Sequence, residues 1–94
     1  MKVRVSYRMP DMTVDEAFEG PDAEAIVAAM KARVAARAGF AIRLMVSALS
    51  PLRFAQEAVR RYNSATDRTL PIPSSCEEFL TLGVTEGIVV LLAS

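Results

Sequence analysis

Lys2-Val3-Arg4-Val5-Ser6-Tyr7-Arg8-Met9-Pro10-Asp11-Met12-Thr13-Val14-Asp15-Glu16-Ala17-Phe18-Glu19 alternates apolar and polar residues on both sides of a Pro-Asp pair. Period-two alternation is the mark of a strand with one buried face. Residues 2–8 read as one strand and 13–19 as a second, with Pro10-Asp11 as the turn between them. If that pair is the turn centre, Val3 faces Phe18, Tyr7 faces Val14 and Lys2 faces Glu19. Arg4 then lies diagonal to Asp15 and Glu19. Apolar side chains meet apolar ones and cations meet anions, which supports this register over its neighbours. One pair does not fit: Val5 faces Glu16, a carboxylate on the apolar face.

Outward from the hairpin, Gly20-Pro21-Asp22 breaks the strand. A helix is expected from about Asp22 to Ala38. Its inward stripe is Ile26, Met30 and Val34, widened by Ala23 and Val27. Asp22 and Glu24 in the first turn and Arg37 in the last suit the helix dipole, and Gly39 reads as the residue that ends the helix. Residues 40–49 fit a strand (Phe40, Ile42, Leu44, Val46) or a helix (Phe40, Leu44, Met45, Leu49). Spacing leaves both open, and the Ala, Leu and Met content tilts the reading toward a helix.

Ser50-Pro51 is a helix start, a hydroxyl N-cap followed by proline at the first helical position. This helix is expected to reach about Asn63, with Ala55, Ala58, Val59 and Tyr62 inward and Arg53, Gln56, Glu57, Arg60 and Arg61 outward. A loop follows over 64–73. Ser75-Cys76-Glu77-Glu78 is a capping box opening a short helix that Gly83 should stop, with Val84 folding back on Phe79. After a Glu86-Gly87 turn, Ile88-Val89-Val90-Leu91-Leu92 reads as a strand covered on both faces and central in its sheet. The expected fold class is α+β: an N-terminal β-hairpin, three to four helices and a C-terminal strand joining one small sheet. Residues 1–94 are expected to form a single domain.

The 94 residues are 52% apolar and 23% charged, which is globular composition. The mean hydropathy of +0.27 is high for so short a chain. A domain of this length buries only roughly two-thirds of the surface its unfolded chain exposes, so some apolar side chains must lie near the surface. One cysteine excludes an intrachain disulfide. The N-terminus lacks the continuous apolar run of a signal peptide. The longest weakly charged stretch, residues 40–55, contains Arg43, Pro51 and Arg53 and falls short of the roughly 20 apolar residues of a membrane span. A soluble cytoplasmic protein with no membrane association is the expectation.

With no histidine, the commonest general base and metal ligand are missing, and so is every Ser-His or Cys-His pair. No glycine-rich phosphate loop or Cys-x-x-Cys is present. These residues point away from an enzyme and imply no metal or cofactor. Cys76, at a helix start but flanked by Glu77 and Glu78, reads as structural.

The candidate ligand or interface residues are Glu16, Arg43, Arg60 and Arg61. Glu16 is the carboxylate on the apolar face, and Arg43, the only charge between Gly39 and Pro51, is its expected counterpart. The two read as rim residues of the core or, more sharply, as a polar pair orienting a ligand. Arg60 and Arg61 belong to residues 31–68, which carry eight basic and two acidic groups. Solvated helix faces account for most of that charge, and the zero net charge argues against nucleic acid.

Three functions stay open. A noncatalytic module that self-associates as a homo-oligomer, most simply a dimer, or docks on a protein partner ranks first. A carrier or sensor of small apolar ligands, with Arg43 at the pocket mouth, is the alternative. RNA or phosphate binding through 31–68 is the third.

Overall fold

The computed structural model describes residues 1–9 and 12–92. The elements run β1 (Lys2–Met9), β2 (Met12–Glu19), α1 (Ala23–Arg37), α2 (Phe40–Ser47), α3 (Pro51–Thr66), α4 (Cys76–Thr85) and β3 (Val89–Leu92). The three strands form one antiparallel sheet of order β2-β1-β3. The fold is α+β, as expected.

The hairpin has the register that the sequence implies: Val3 lies opposite Phe18, Tyr7 opposite Val14, Lys2 opposite Glu19. The expected Pro10-Asp11 turn lies outside the described residues. Arg4 donates twice to Asp15, Nε to Oδ1 at 2.8 Å and Nη2 to Oδ2 at 2.9 Å. This fork holds the Asp15 carboxyl below its ordinary value and raises the guanidinium's own. Val3, Val5 and Phe18 turn to the other face and are buried.

Helix α1 starts on Asp22, whose carboxylate accepts from the Ala25 N–H at 2.8 Å. Ala23, Ile26 and Val27 are its buried residues, all in the first five positions. The second half of α1 leaves the core, so Val34, expected in the inward stripe, is 42% exposed. Gly39 does not close α1 in a left-handed turn. It is extended (φ −67°, ψ 170°) and serves as the N-cap of α2. Residues 40–47 resolve as that helix, and none of its residues is buried.

Helix α3 begins on Ser50, which accepts from the Arg53 N–H at 3.2 Å, and buries Ala55 and Val59. It runs three residues past Asn63 and ends on Asp67 in the left-handed region (φ 57°). The Asn63 side chain accepts from the Leu70 N–H and donates to its carbonyl, both at 3.0 Å, pinning the following loop.

Two expectations at the C-terminal end are overturned. Gly83 does not stop α4, which runs through it to Thr85. The stop is Gly87 (φ 78°), where the Gly87 N–H reaches Val84 O at 3.1 Å and the Ile88 N–H reaches Gly83 O at 2.9 Å. That pair of bonds is the Schellman closure, one turn later than the composition suggested. Gly83 instead serves packing: a Cβ there would fall 2.5 Å from Val89 Cγ2. The final strand, for its part, is not central. β1 takes the centre and β3 an edge, with Val90 52% and Leu91 60% exposed. An unbroken apolar run reads alike for a doubly covered strand and for an edge strand left greasy, so pattern could not separate them.

The core is Val3, Val5 and Phe18 of the hairpin with Ala23, Ile26, Val27, Ala55, Cys76, Leu80 and Val89. The helices cover one face of the sheet.

Candidate functional site

Glu16 sits on the helix-covered side of β2 with its side chain 16% exposed. Arg43 is not its partner, as the sequence had suggested. Glu16 is met by Arg33, with Nε 3.4 Å from Oε2, and by Arg37, which hydrogen-bonds Oε1. Arg33 and Arg37 are four residues apart on α1 and so share one helix face. Oε2 is buried and accepts no hydrogen bond among the described residues. The cluster seals the hairpin-facing side of α1 with charge.

Arg43 lies instead on α2 and caps α1. Its Nε donates to Ala35 O at 3.1 Å and its Nη2 to Ala38 O at 3.4 Å. These are carbonyls at a helix C-terminus, where a cation is favoured. Lys31 acts similarly, Nζ donating to Leu49 O at 2.6 Å. Between α1 and α2 runs an open groove of about 570 Å³ lined by Lys31, Ala32, Ala35, Ala36, Arg43 and Ser47. Both cations on its rim are occupied by backbone carbonyls.

Arg60 and Arg61 are exposed on α3 and share Glu57, at 3.3 and 3.8 Å. They converge with neither Glu16 nor Arg43. Exposed pairs of this kind contribute little to stability, about 0–1 kcal/mol.

A cluster that the sequence reading missed joins α3 to the end of α4. The Tyr62 hydroxyl donates to Glu86 Oε1 at 2.9 Å, and Arg68 Nη2 donates to Glu86 Oε2 at 2.7 Å. The ring of Tyr62 packs on Tyr7 of β1, centroids 5.7 Å apart at 54°. The hydrogen bond to Glu86, then burial, pushes the Tyr62 phenol above its ordinary value. Glu86 carried one signal in advance. A carboxylate at a helix C-terminus opposes the dipole and calls for a cation, here Arg68. The cluster has the form of a structural latch.

Cys76 is buried in the first turn of α4. Burial, then the carboxylates of Glu24, Glu77 and Asp22, raise its thiol above the ordinary value. The folded state therefore holds the proton more tightly than the unfolded chain does. Its contribution to stability is complete below the ordinary thiol value and is lost as pH rises through the folded one. At pH 8 a thiol reagent should label the native chain slowly, and urea should speed labelling to that of a free cysteine. Fast native labelling would show the thiol to be accessible and activated.

Among the described residues no group of three or more Cys, Asp or Glu side chains is placed to hold a metal ion. The most distinctive surface is apolar. Phe40, Ile42, Leu44 and Met45 of α2 are between 48% and 74% exposed, and Val34 of α1 is 42% exposed. No described helix is long and apolar enough to cross a membrane. No model of a known protein family matches this chain, and no curated protein or solved structure matches it either.

Proposed function

We propose that this chain, as one domain over residues 1–94, is a noncatalytic interaction module that works as a homo-oligomer, most simply a dimer, in the cytoplasm. One observation carries the reading. Five of the six apolar side chains of an eight-residue helix, Phe40, Ala41, Ile42, Leu44 and Met45, are exposed, and the helix buries nothing. Val90 and Leu91 add exposed apolar surface on β3. Exposed apolar patches beyond a few hundred Å² usually mark interfaces, and closed two-fold pairing is the commonest way to cover them. The side chains that could have formed a reaction centre are engaged in structure: Glu16 with two arginines, Arg43 with carbonyls, Arg60 and Arg61 with Glu57.

Light scattering tests the reading. The native chain should give about twice 10.2 kDa at micromolar concentration. A mass of 10.2 kDa that does not change on concentrating the sample would overturn it.

The carrier reading has an observation of its own, because Arg43 lines the 570 Å³ groove between α1 and α2. The groove is open and its floor is alanine, which suits a loosely held ligand less than a packed partner surface. Binding of nucleic acid is disfavoured by the same pairings, since phosphates would have to displace carboxylates and carbonyls already bound to most of the basic groups of 31–68.

A further inference from the structure

We infer that α2 is a strap that opens on its own: it unwinds and lifts from α1 while the sheet and the other three helices stay folded. The inference is independent of the self-association reading above. It begins with what α2 lacks. None of its residues is buried, and none belongs to the core or to the partly buried side chains packed on the core. Its packing partner is α1, and the buried residues of α1, Ala23, Ile26 and Val27, all lie at the other end of that helix. Lifting α2 therefore uncovers no core side chain. The free energy of a local opening rises with the apolar contact it breaks, and here that contact is small.

Nor does the segment hold itself in a helix. Its 8 residues fall below the roughly 12–15 that a helix needs to persist alone in water. Gly39, at the N-cap, offers no side-chain acceptor, the first turn carries no acid and the last turn no base. Neither the end groups nor the dipole is compensated. Phe40, Ile42 and Val46 are weaker helix formers than alanine or leucine. The alternation of Phe40, Ile42, Leu44 and Val46 suits an extended chain equally well.

What holds α2 down is chiefly polar. Arg43 Nε and Nη2 donate to Ala35 O at 3.1 Å and Ala38 O at 3.4 Å, and Lys31 Nζ donates to Leu49 O at 2.6 Å. Each such bond contributes a modest net amount, because water replaces it on opening. The joints are in place. Ala38 and Gly39 are both extended, and a Cβ on Gly39 would meet nothing beyond its chain neighbours within 4 Å. At the far end Ala48 closes the helix and Ser50 opens α3. Residues 38–50, fully extended, reach about 43 Å, more than the 36 Å longest dimension of the fold. The segment can therefore open with α1 and α3 in place. Opening frees Arg43 and Lys31 together and turns the groove between α1 and α2 into a cleft along Ala32, Ala35 and Ala36 of α1.

Native-state hydrogen exchange, read residue by residue, tests this. The amides of residues 43–49 should exchange about a hundredfold faster than those of β1, with little dependence on urea, since opening exposes little surface. Arg43→Ala should speed α2 exchange by about a further fivefold, the worth of one hydrogen bond. Gly39→Asp, which supplies the missing cap, should slow it about threefold. Both variants should leave β1 exchange unchanged. Exchange of α2 at the rate and urea slope of β1, or variants that shift β1 as far as α2, would overturn the opening. Light scattering on the same samples separates this from self-association. A monomer whose α2 opens would overturn only the self-association. A dimer whose α2 is as protected as β1 at every concentration would overturn only the opening.

Discussion

Replacing Ile26 by alanine should remove about 2–5 kcal/mol of folding free energy, the usual cost of deleting a fully buried aliphatic side chain. Ile26 is wholly inaccessible and lies in the first turns of α1, among Val3, Val5, Phe18 and Leu80 of the core. The loss has two parts, the transfer of the missing methylenes and methyls and the cavity left behind. A domain of this length has about 5–15 kcal/mol in all, so the variant would be marginal at 37 °C. Its melting temperature should fall by at least about 8 °C. Val34→Ala, on the same helix but 42% exposed, is the control. Surface changes stay within about 0.5 kcal/mol, and alanine is the better helix former. Urea unfolding followed by circular dichroism measures both. Equal losses at the two positions would mean that α1 faces the sheet with a different side.

At Gly83 two effects oppose each other. Alanine in mid-helix is favoured over glycine by about 1 kcal/mol, and from propensity alone Gly83→Ala should stabilise α4. The new Cβ would fall 2.5 Å from Val89 Cγ2 and 3.2 Å from Val89 Cβ. Val89 is buried and β-branched, so its methyl cannot swing aside. Overpacking a filled core costs about 1–3 kcal/mol, and the clash should win, with a net loss of up to about 2 kcal/mol. Val89→Ala alone should also destabilise, by opening a cavity. Combining the two should recover part of both losses, a coupling of about 0.5–3 kcal/mol. Additive losses would show that α4 does not rest on β3 through this contact.

These two sites differ in how far they could be read in advance. Ile26 stands out from spacing alone, since it shares a helical stripe with Ala23, Val27 and Met30. In the sequence Gly83 has the pattern of a helix stop, the commonest role of glycine near a helix end. A close approach between a helix and a strand leaves no trace in the local pattern. Glu16 was legible as an anomaly but not in its partners. Arg33 and Arg37, one turn apart on α1, were available in the sequence, yet which face of α1 turns to β2 follows only from how Ile26 and Val27 dock. Arg43 looked like the counterpart because it was alone in an apolar stretch, and in the fold it serves the carbonyls of α1.

What the sequence determined by itself is whatever depends on neighbours along the chain. Period-two alternation and cross-strand charge pairing set the hairpin register through to Lys2 and Glu19. Asp22, Ser50-Pro51 and Ser75 set the starts of three helices, because a side chain two or three residues from an unpaired N–H satisfies it wherever the rest of the chain lies. The tertiary structure alone decided that β1 and not β3 is central, that α2 lies outside the core, and that the final strand leaves Val90 and Leu91 uncovered. Each of those is a competition among apolar segments for one limited core. Segments such as 40–47 and 88–92 are apolar enough to be buried, and which of them is left at the surface depends on the area already covered by α1, α3 and α4.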